Sequence, residues 1–194
     1  VTGVQTCALP IYDLGRPISS VSISQSGEYL VFEADQDGDE NAEIFILTIK
    51  DKKITDLSQR KGSRNGFCGF SDDGQTITFM SNSRDKSYFD IFKASVSSNG
   101  MIKENPKVFI QSNDVNTCGR FNKNGTQYTF VKFKTNTVQE IWTKDVKNNK
   151  ISEITPAKNV ASFIGSSYLN GNTSIVSLSN LKTDFKNLVA FDLK

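Results

Sequence analysis

A turn glycine recurs four times along the chain, at Gly27, Gly74, Gly125 and Gly171, with spacings of 47, 51 and 46 residues. Each glycine follows an apolar lead-in and precedes an alternating strand. In the clearest copy, Phe70 leads into Ser71-Asp72-Asp73-Gly74, and Thr76 to Met80 (TITFM) alternates after it. Asp-Asp-Gly supplies the positive-φ position and the side-chain-to-backbone bonds of a hairpin turn. A chain that repeats such a hairpin builds its core from repeated strand units, because one hairpin cannot bury its own apolar face.

The neighbouring copies keep the same order. Ile23 to Gly27 precedes Tyr29–Glu33, Phe121 to Gly125 precedes Gln127–Val131, and Tyr168 to Gly171 precedes Thr173–Ser177. After a polar loop each unit supplies another strand: Ala42–Ile49, Tyr88–Phe92, Val138–Thr143 and Asn187–Asp192. A short fourth strand follows in three of them, at Lys53–Leu57, Lys107–Ile110 and Lys150–Ile154. Four short antiparallel strands repeated every 40–50 residues or so is the pattern of propeller blades. A β-sandwich also has short strands and turns, but it does not repeat one turn-strand-loop-strand order four times. The expected fold is therefore all-β: a partial β-propeller of about four blades, each a four-stranded antiparallel sheet, the last incomplete. The blades are expected at about 17–60, 61–111, 112–158 and 159–194.

Composition excludes several classes of chemistry. The sequence contains no histidine, so a Ser-His-Asp triad, a histidine base and a histidine metal site cannot be assembled from it. Lys and Arg number 23 against 21 Asp and Glu, and the charges are interspersed, so no basic stripe marks nucleic acid. No apolar run approaches the roughly 18–20 residues that cross a bilayer as a helix.

Val1 to Ile11 (VTGVQTCALPI) fits none of the repeat. It resembles the in-frame translation of a common sequencing-library adapter, whose leftover base opens the codon of Tyr12. A natural tail or degenerate signal peptide is the alternative, but the basic n-region and long apolar stretch of a signal are missing. Residues 1–11 are therefore expected to lie outside the propeller of 12–194, and Cys7 leaves the cysteine arithmetic. With the native N-terminus expected elsewhere, cytoplasm and periplasm both stay open.

Three constellations invite a chemical reading. Asp35 to Asn41 (DQDGDEN) is the most acidic stretch, but its Gly38 falls at position four, where a calcium loop needs glycine at six. A solvated hairpin loop is expected. Cys68 and Cys118 precede Phe70 and Phe121 by two and three residues, on innermost strands. Buried free thiols are expected there, with a disulfide between neighbouring blades as the alternative. Phe32, Phe45, Phe79, Phe92, Phe130 and Trp142 recur at equivalent strand positions and read as core between blades rather than a stacking surface for bases. The sequons Asn124-Gly-Thr126 and Asn172-Thr-Ser174 are short enough to occur by chance. No catalytic, cofactor-binding or metal residue is assigned.

The grammar of apolar-Ser-x-Asp-Gly, strand, Ser-Asn-x-x-Asp and Phe-Asp-Ile-aromatic resembles the TolB-type, WD40-like propeller repeat. Gly38 to Asn41 with Glu43 to Phe45 looks like the first blade of many bacterial prolyl oligopeptidase family serine peptidases. Asn65 to Ser71 (NGFCGFS), Ser81 to Asp85 (SNSRD) and Phe89 to Phe92 (FDIF) look like the next blade. In that family the propeller caps a C-terminal α/β-hydrolase domain carrying the catalytic triad. The resemblance implies a substrate-gating propeller acting on short peptides, with the hydrolase domain of the same chain as its missing partner. It implies no cofactor. These residues contain no Gly-x-Ser-x-Gly elbow, so the segment itself is expected to be silent and the full-length parent to be the peptidase. The alternative is a non-enzymatic TolB-like scaffold for protein contacts in the bacterial envelope.

Overall fold

The computed structural model describes residue 15 and residues 17–193 except 36, 37, 157, 159, 170 and 171. The proposed adapter segment and the turn glycine at 171 lie outside the described residues. Among those described, fifteen strands form four separate antiparallel sheets and there is no α-helix.

Sheet one is β1 (Ile18–Ile23), β2 (Tyr29–Ala34), β3 (Glu43–Thr48) and β4 (Lys53–Asp56). Sheet two is β5 (Asn65–Phe70), β6 (Thr76–Ser81), β7 (Asp90–Val96) and β8 (Ile102–Ile110). Sheet three is β9 (Val115–Phe121), β10 (Gln127–Phe133), β11 (Gln139–Asp145) and β12 (Ile151–Glu153). Sheet four has β13 (Phe163–Leu169), β14 (Ser174–Ser179) and β15 (Asn187–Asp192). In every sheet the strands lie in chain order, so each is a simple up-and-down meander.

The turn chemistry works as the residues dictate. Asp73 Oδ1 accepts from Ser71 Oγ at 2.6 Å and from Gln75 N at 3.0 Å, while Gly74 sits at φ 65° and donates to Ser71 O. These bonds hold the Asp73 carboxyl below its ordinary pKa, the Ser71 hydroxyl contributing most. Asn122 performs the same task in the next sheet, its Oδ1 accepting Thr126 N and Gln127 N at 2.8 and 3.0 Å. Asn122 stands at the position of Ser71, whose Oγ accepts Thr76 N at 2.9 Å, so the change from serine to asparagine preserves the hairpin.

The sheets pack face to face in sequence, and each interface has its own core. Between sheets one and two, Tyr29, Val31, Ile44 and Ile46 meet Ile77, Phe79, Phe92 and Val96. Between two and three, Ile91, Phe109 and Ile110 meet Tyr128 and Phe130. Between three and four, Val131 and Ile141 meet Phe163 and Ile175. The strand aromatics pair across neighbouring strands: Phe79 stacks on Phe92 at 5.4 Å, and Phe32 on Phe45 at 5.3 Å. Phe32 and Phe45 belong to a separate cluster, distinct from the core that joins sheets one and two.

Backbone bonds tie the sheets as well. Asn65 N and Nδ2 both donate to Ala42 O, at 3.1 and 2.8 Å, and Asn116 N and Nδ2 both donate to Phe89 O, at 3.2 and 2.8 Å. Asn82 Oδ1 accepts Arg64 N and Asn180 Oδ1 accepts Ser162 N, each at 2.8 Å. Each of these side chains caps the entry to an inner strand. This is the physical role of the Ser-Asn pair that recurs after β6 and β14.

Two expectations need correcting at the strand ends. The Tyr88–Phe92 strand starts at Asp90 and runs to Val96, because Ala94 and Val96 extend its buried face. Its partner extends back from Lys107 to Ile102, so β7 and β8 form the longest hairpin of the four sheets. Among the described residues no strand of sheet four touches sheet one, so the fan of sheets is unclosed.

Candidate functional site

The first strand of each sheet lies at the inner side of the fan. β5 packs beside β9, and β9 beside β13. Each inner strand slips register once against its neighbour: between Ile18 and Ser20, between Phe67 and Gly69, between Ile164 and Ser167, and opposite Thr129 to Val131. A bulge bends and twists a strand locally, which lets inner strands converge while the outer ones splay. Cys68 and Cys118 sit at two of these slips.

That convergence overturns the expectation of free thiols. Cys68 and Cys118 form a disulfide, with their Cα atoms 4.7 Å apart. It joins the inner strands of sheets two and three directly. The lateral distance between two strands 50 residues apart in sequence is a property of the fan, and strand spacing along the chain does not contain it.

Beside this bond the inner-strand ends build an axial cavity of ≈ 590 Å³. Its apolar wall is Phe70, Phe121 and Tyr168, the residues that pair with Ile77, Tyr128 and Ile175 in successive sheets. Its polar wall comes from the turns, with Gln25, Asp72, Lys123 and Asn172. Asn172 Oδ1 accepts Lys123 N at 2.9 Å and so locks the turns of sheets three and four together. A second cavity of ≈ 470 Å³ lies between β1 and β5, where Ser20, Ser22 and Glu33 face Cys68 and Gly69. Arg120 lines both cavities.

Two glycines make this geometry possible. A Cβ on Gly119 would fall 1.4 Å from Thr129 O, so no other residue fits that bulge. A Cβ on Gly69 would fall 2.1 Å from Arg120 Nη1, and Gly69 has φ 151°. Gly119 N also donates to the Tyr128 hydroxyl at 3.1 Å, and that hydroxyl lies 3.4 Å from Thr78 Oγ1. Burial raises the Tyr128 pKa above its ordinary value, so it stays a neutral donor and acceptor inside the interface.

The remaining sequence candidates stay apart from the cavities. In the acidic loop, Asp39 Oδ1 accepts Asn41 N at 3.0 Å, a local turn bond, and residues 36 and 37 are outside the described set. Phe79, Phe92 and Phe130 are buried core. Arg120 itself was missed by sequence reasoning, yet a signal existed. Counted back from Phe70 and Phe121, Arg120 stands at the position that Gly69 holds in the preceding blade, pairing with Thr129 as Gly69 pairs with Thr78.

No protein-family model matches the chain, and no curated protein does. Solved structures do. TolB from Acinetobacter baumannii superposes on 82% of the chain with a TM-score of 0.59 at 16% identity. A structure described in a study of two prolyl endopeptidases and their inter-domain dynamics superposes on 94%, with a TM-score of 0.68 at 8% identity. The chain has the TolB-type β-propeller fold. Its four sheets are propeller blades, and the cavities described above line the propeller axis. The chain spans 39% of the length of that TolB and 28% of that prolyl endopeptidase.

Proposed function

We propose that this propeller arc gates a prolyl oligopeptidase-like serine peptidase, admitting short peptides along its axis and holding folded proteins out. The observation that carries this reading is the axial cavity. It is assembled from the inner-strand ends and turns of all four blades, and it offers an aromatic wall on one side and polar turn residues on the other. Such a lining suits an extended peptide, which presents backbone polar groups and side chains together. The broader and closer superposition on the prolyl endopeptidase structure supports the same choice. The catalytic partner would be an α/β-hydrolase domain of the same chain, since no histidine is present here to serve a triad.

The identity to TolB is twice that to the endopeptidase, which supports a second reading as an envelope scaffold. The Cys68–Cys118 bond suits either protein in the periplasm better than in the cytoplasm, where thiols are kept reduced. The coding sequence beyond Lys194 separates the two. A Gly-x-Ser-x-Gly after a strand, followed by Asp and then His, supports the peptidase. A frame that ends without that motif overturns it in favour of the scaffold.

A further inference from the structure

We propose that Arg120 receives the carboxylate of a short ligand whose apolar end packs on Phe70, Phe121 and Tyr168. In the channel of a peptidase that ligand is the C-terminus of a peptide. The peptide form rests on the function proposed above, while the binding chemistry rests on this chain alone.

Arg120 is exposed and lines both axial cavities. Among the described residues its guanidinium makes no ion pair and no side-chain hydrogen bond. Five N–H donors in a planar fork thus open into the axis, and a carboxylate is the group that such a fork grips with two bonds. The fork is also seated. Its Nη1 lies where Gly69 would carry a Cβ, so the missing side chain of one blade positions the arginine of the next.

A second group points the same way. The Tyr168 hydroxyl is buried without a hydrogen-bond partner, and Tyr168 lines the cavity that Arg120 enters. Burial pushes its pKa up, so it stays a neutral phenol whose O–H has no acceptor among the described residues. The aromatic wall is held in place from behind: Phe70 meets Phe67 edge-on at 5.0 Å and Phe121 meets Tyr128 edge-on at 4.8 Å. Of the other charged groups at the mouth, Lys123 adds to the attraction and Asp72 opposes it. Glu33 faces the second cavity, where its Oε1 accepts Phe67 N at 2.6 Å. Two carboxylates beside one arginine favour a ligand with a single negative charge next to an apolar group over a compact dianion.

The test titrates the purified full chain with N-acetyl-phenylalanine, with its amide and with acetate, following backbone shifts by nuclear magnetic resonance. Millimolar binding of the acid is expected, with the amide and acetate at least about tenfold weaker, and with R120Q weakening the acid by about tenfold or more. Shifts should map to Phe70, Phe121, Tyr168 and Gly69. R120Q should melt like the parent, because the guanidinium has no internal partner to lose. Equal binding of acid and amide, equal binding of acid and acetate, an unaffected R120Q, or no binding of the acid at millimolar concentration each overturns the proposal. None of these outcomes bears on the peptidase reading, which the downstream coding sequence decides.

Discussion

Arg84 grips Asp90 with two hydrogen bonds, from Nε at 2.7 Å and from Nη2 at 3.0 Å, and Asp90 is 1% exposed. The same Nη2 donates to Ser112 O at 2.7 Å. One guanidinium therefore ties the loop before β7 to the connection that enters the third blade. Phe-Asp-Ile-Phe is thus a structural motif, in which the two Phe flank a buried anion with its own counter-ion.

The two halves of that pair are unequal. R84A leaves a buried carboxylate without its cation, whereas D90A leaves a cation that reaches water. We expect R84A to lower the urea midpoint more than D90A, and the double variant to fall short of the sum of the two. Midpoints in the reverse order contradict the assignment.

The disulfide closes a loop of 50 residues across two blades. On the chain-entropy account such a loop contributes about 4 kcal/mol, and measured values run to roughly 2–4 kcal/mol. Reduction, or the C68S/C118S double variant, is expected to lower stability by that amount in urea unfolding. Unchanged unfolding after complete reduction means that the two sulfurs are not bonded.

Phe79 is fully buried between the first two blades and stacks on Phe92. F79A removes a whole ring from a close-packed interface and should cost about 3–5 kcal/mol. That is a large share of the stability of any single domain. A loss below about 1 kcal/mol would place Phe79 at the surface instead.

Tyr29 and Tyr128 set the alkaline limit. Burial raises the Tyr29 pKa from 10.0 to about 12, and it raises that of Tyr128 as well. A raised folded pKa means the stability is fully present below pH 10 and is lost as pH climbs from 10 through about 12. Y29F and Y128F should each flatten that alkaline limb in thermal melts run at successive pH values. An unchanged slope in both variants rules the linkage out.

The outer faces of the end blades predict self-association. Ile164, Leu178 and Leu188 line up across the three strands of the fourth blade and are 52%, 42% and 75% exposed. On the first blade Val21 and Ile23 are 64% and 65% exposed. Ile175, on the same strand as Leu178, is fully buried against the third blade, because residues an odd number apart on a strand point to opposite faces. Light scattering should show mass rising with concentration, and L178K/L188K should reduce it. A monomer insensitive to dilution removes the basis for an exposed blade face.

Strand content and blade count were legible from the chain because both are local. A turn glycine needs positive φ, the serine, aspartate or asparagine of the turn accepts the amides that close it, and alternation declares the buried face within five or six residues. Those facts sit side by side in Ser71 to Ser81 and recur in Asn122 to Phe133. The caps made by Asn82 and Asn180 were visible only as a recurring Ser-Asn, without a reason. Tertiary structure alone decided what happens at the axis. Cys68 meets Cys118, Gly69 meets Arg120, and Tyr128 reaches Thr78 across blade boundaries 50 or so residues long. Those meetings depend on how far each bulged inner strand bends toward its neighbour. That bend is the sum of twist and packing over whole blades, and no short stretch of sequence carries it.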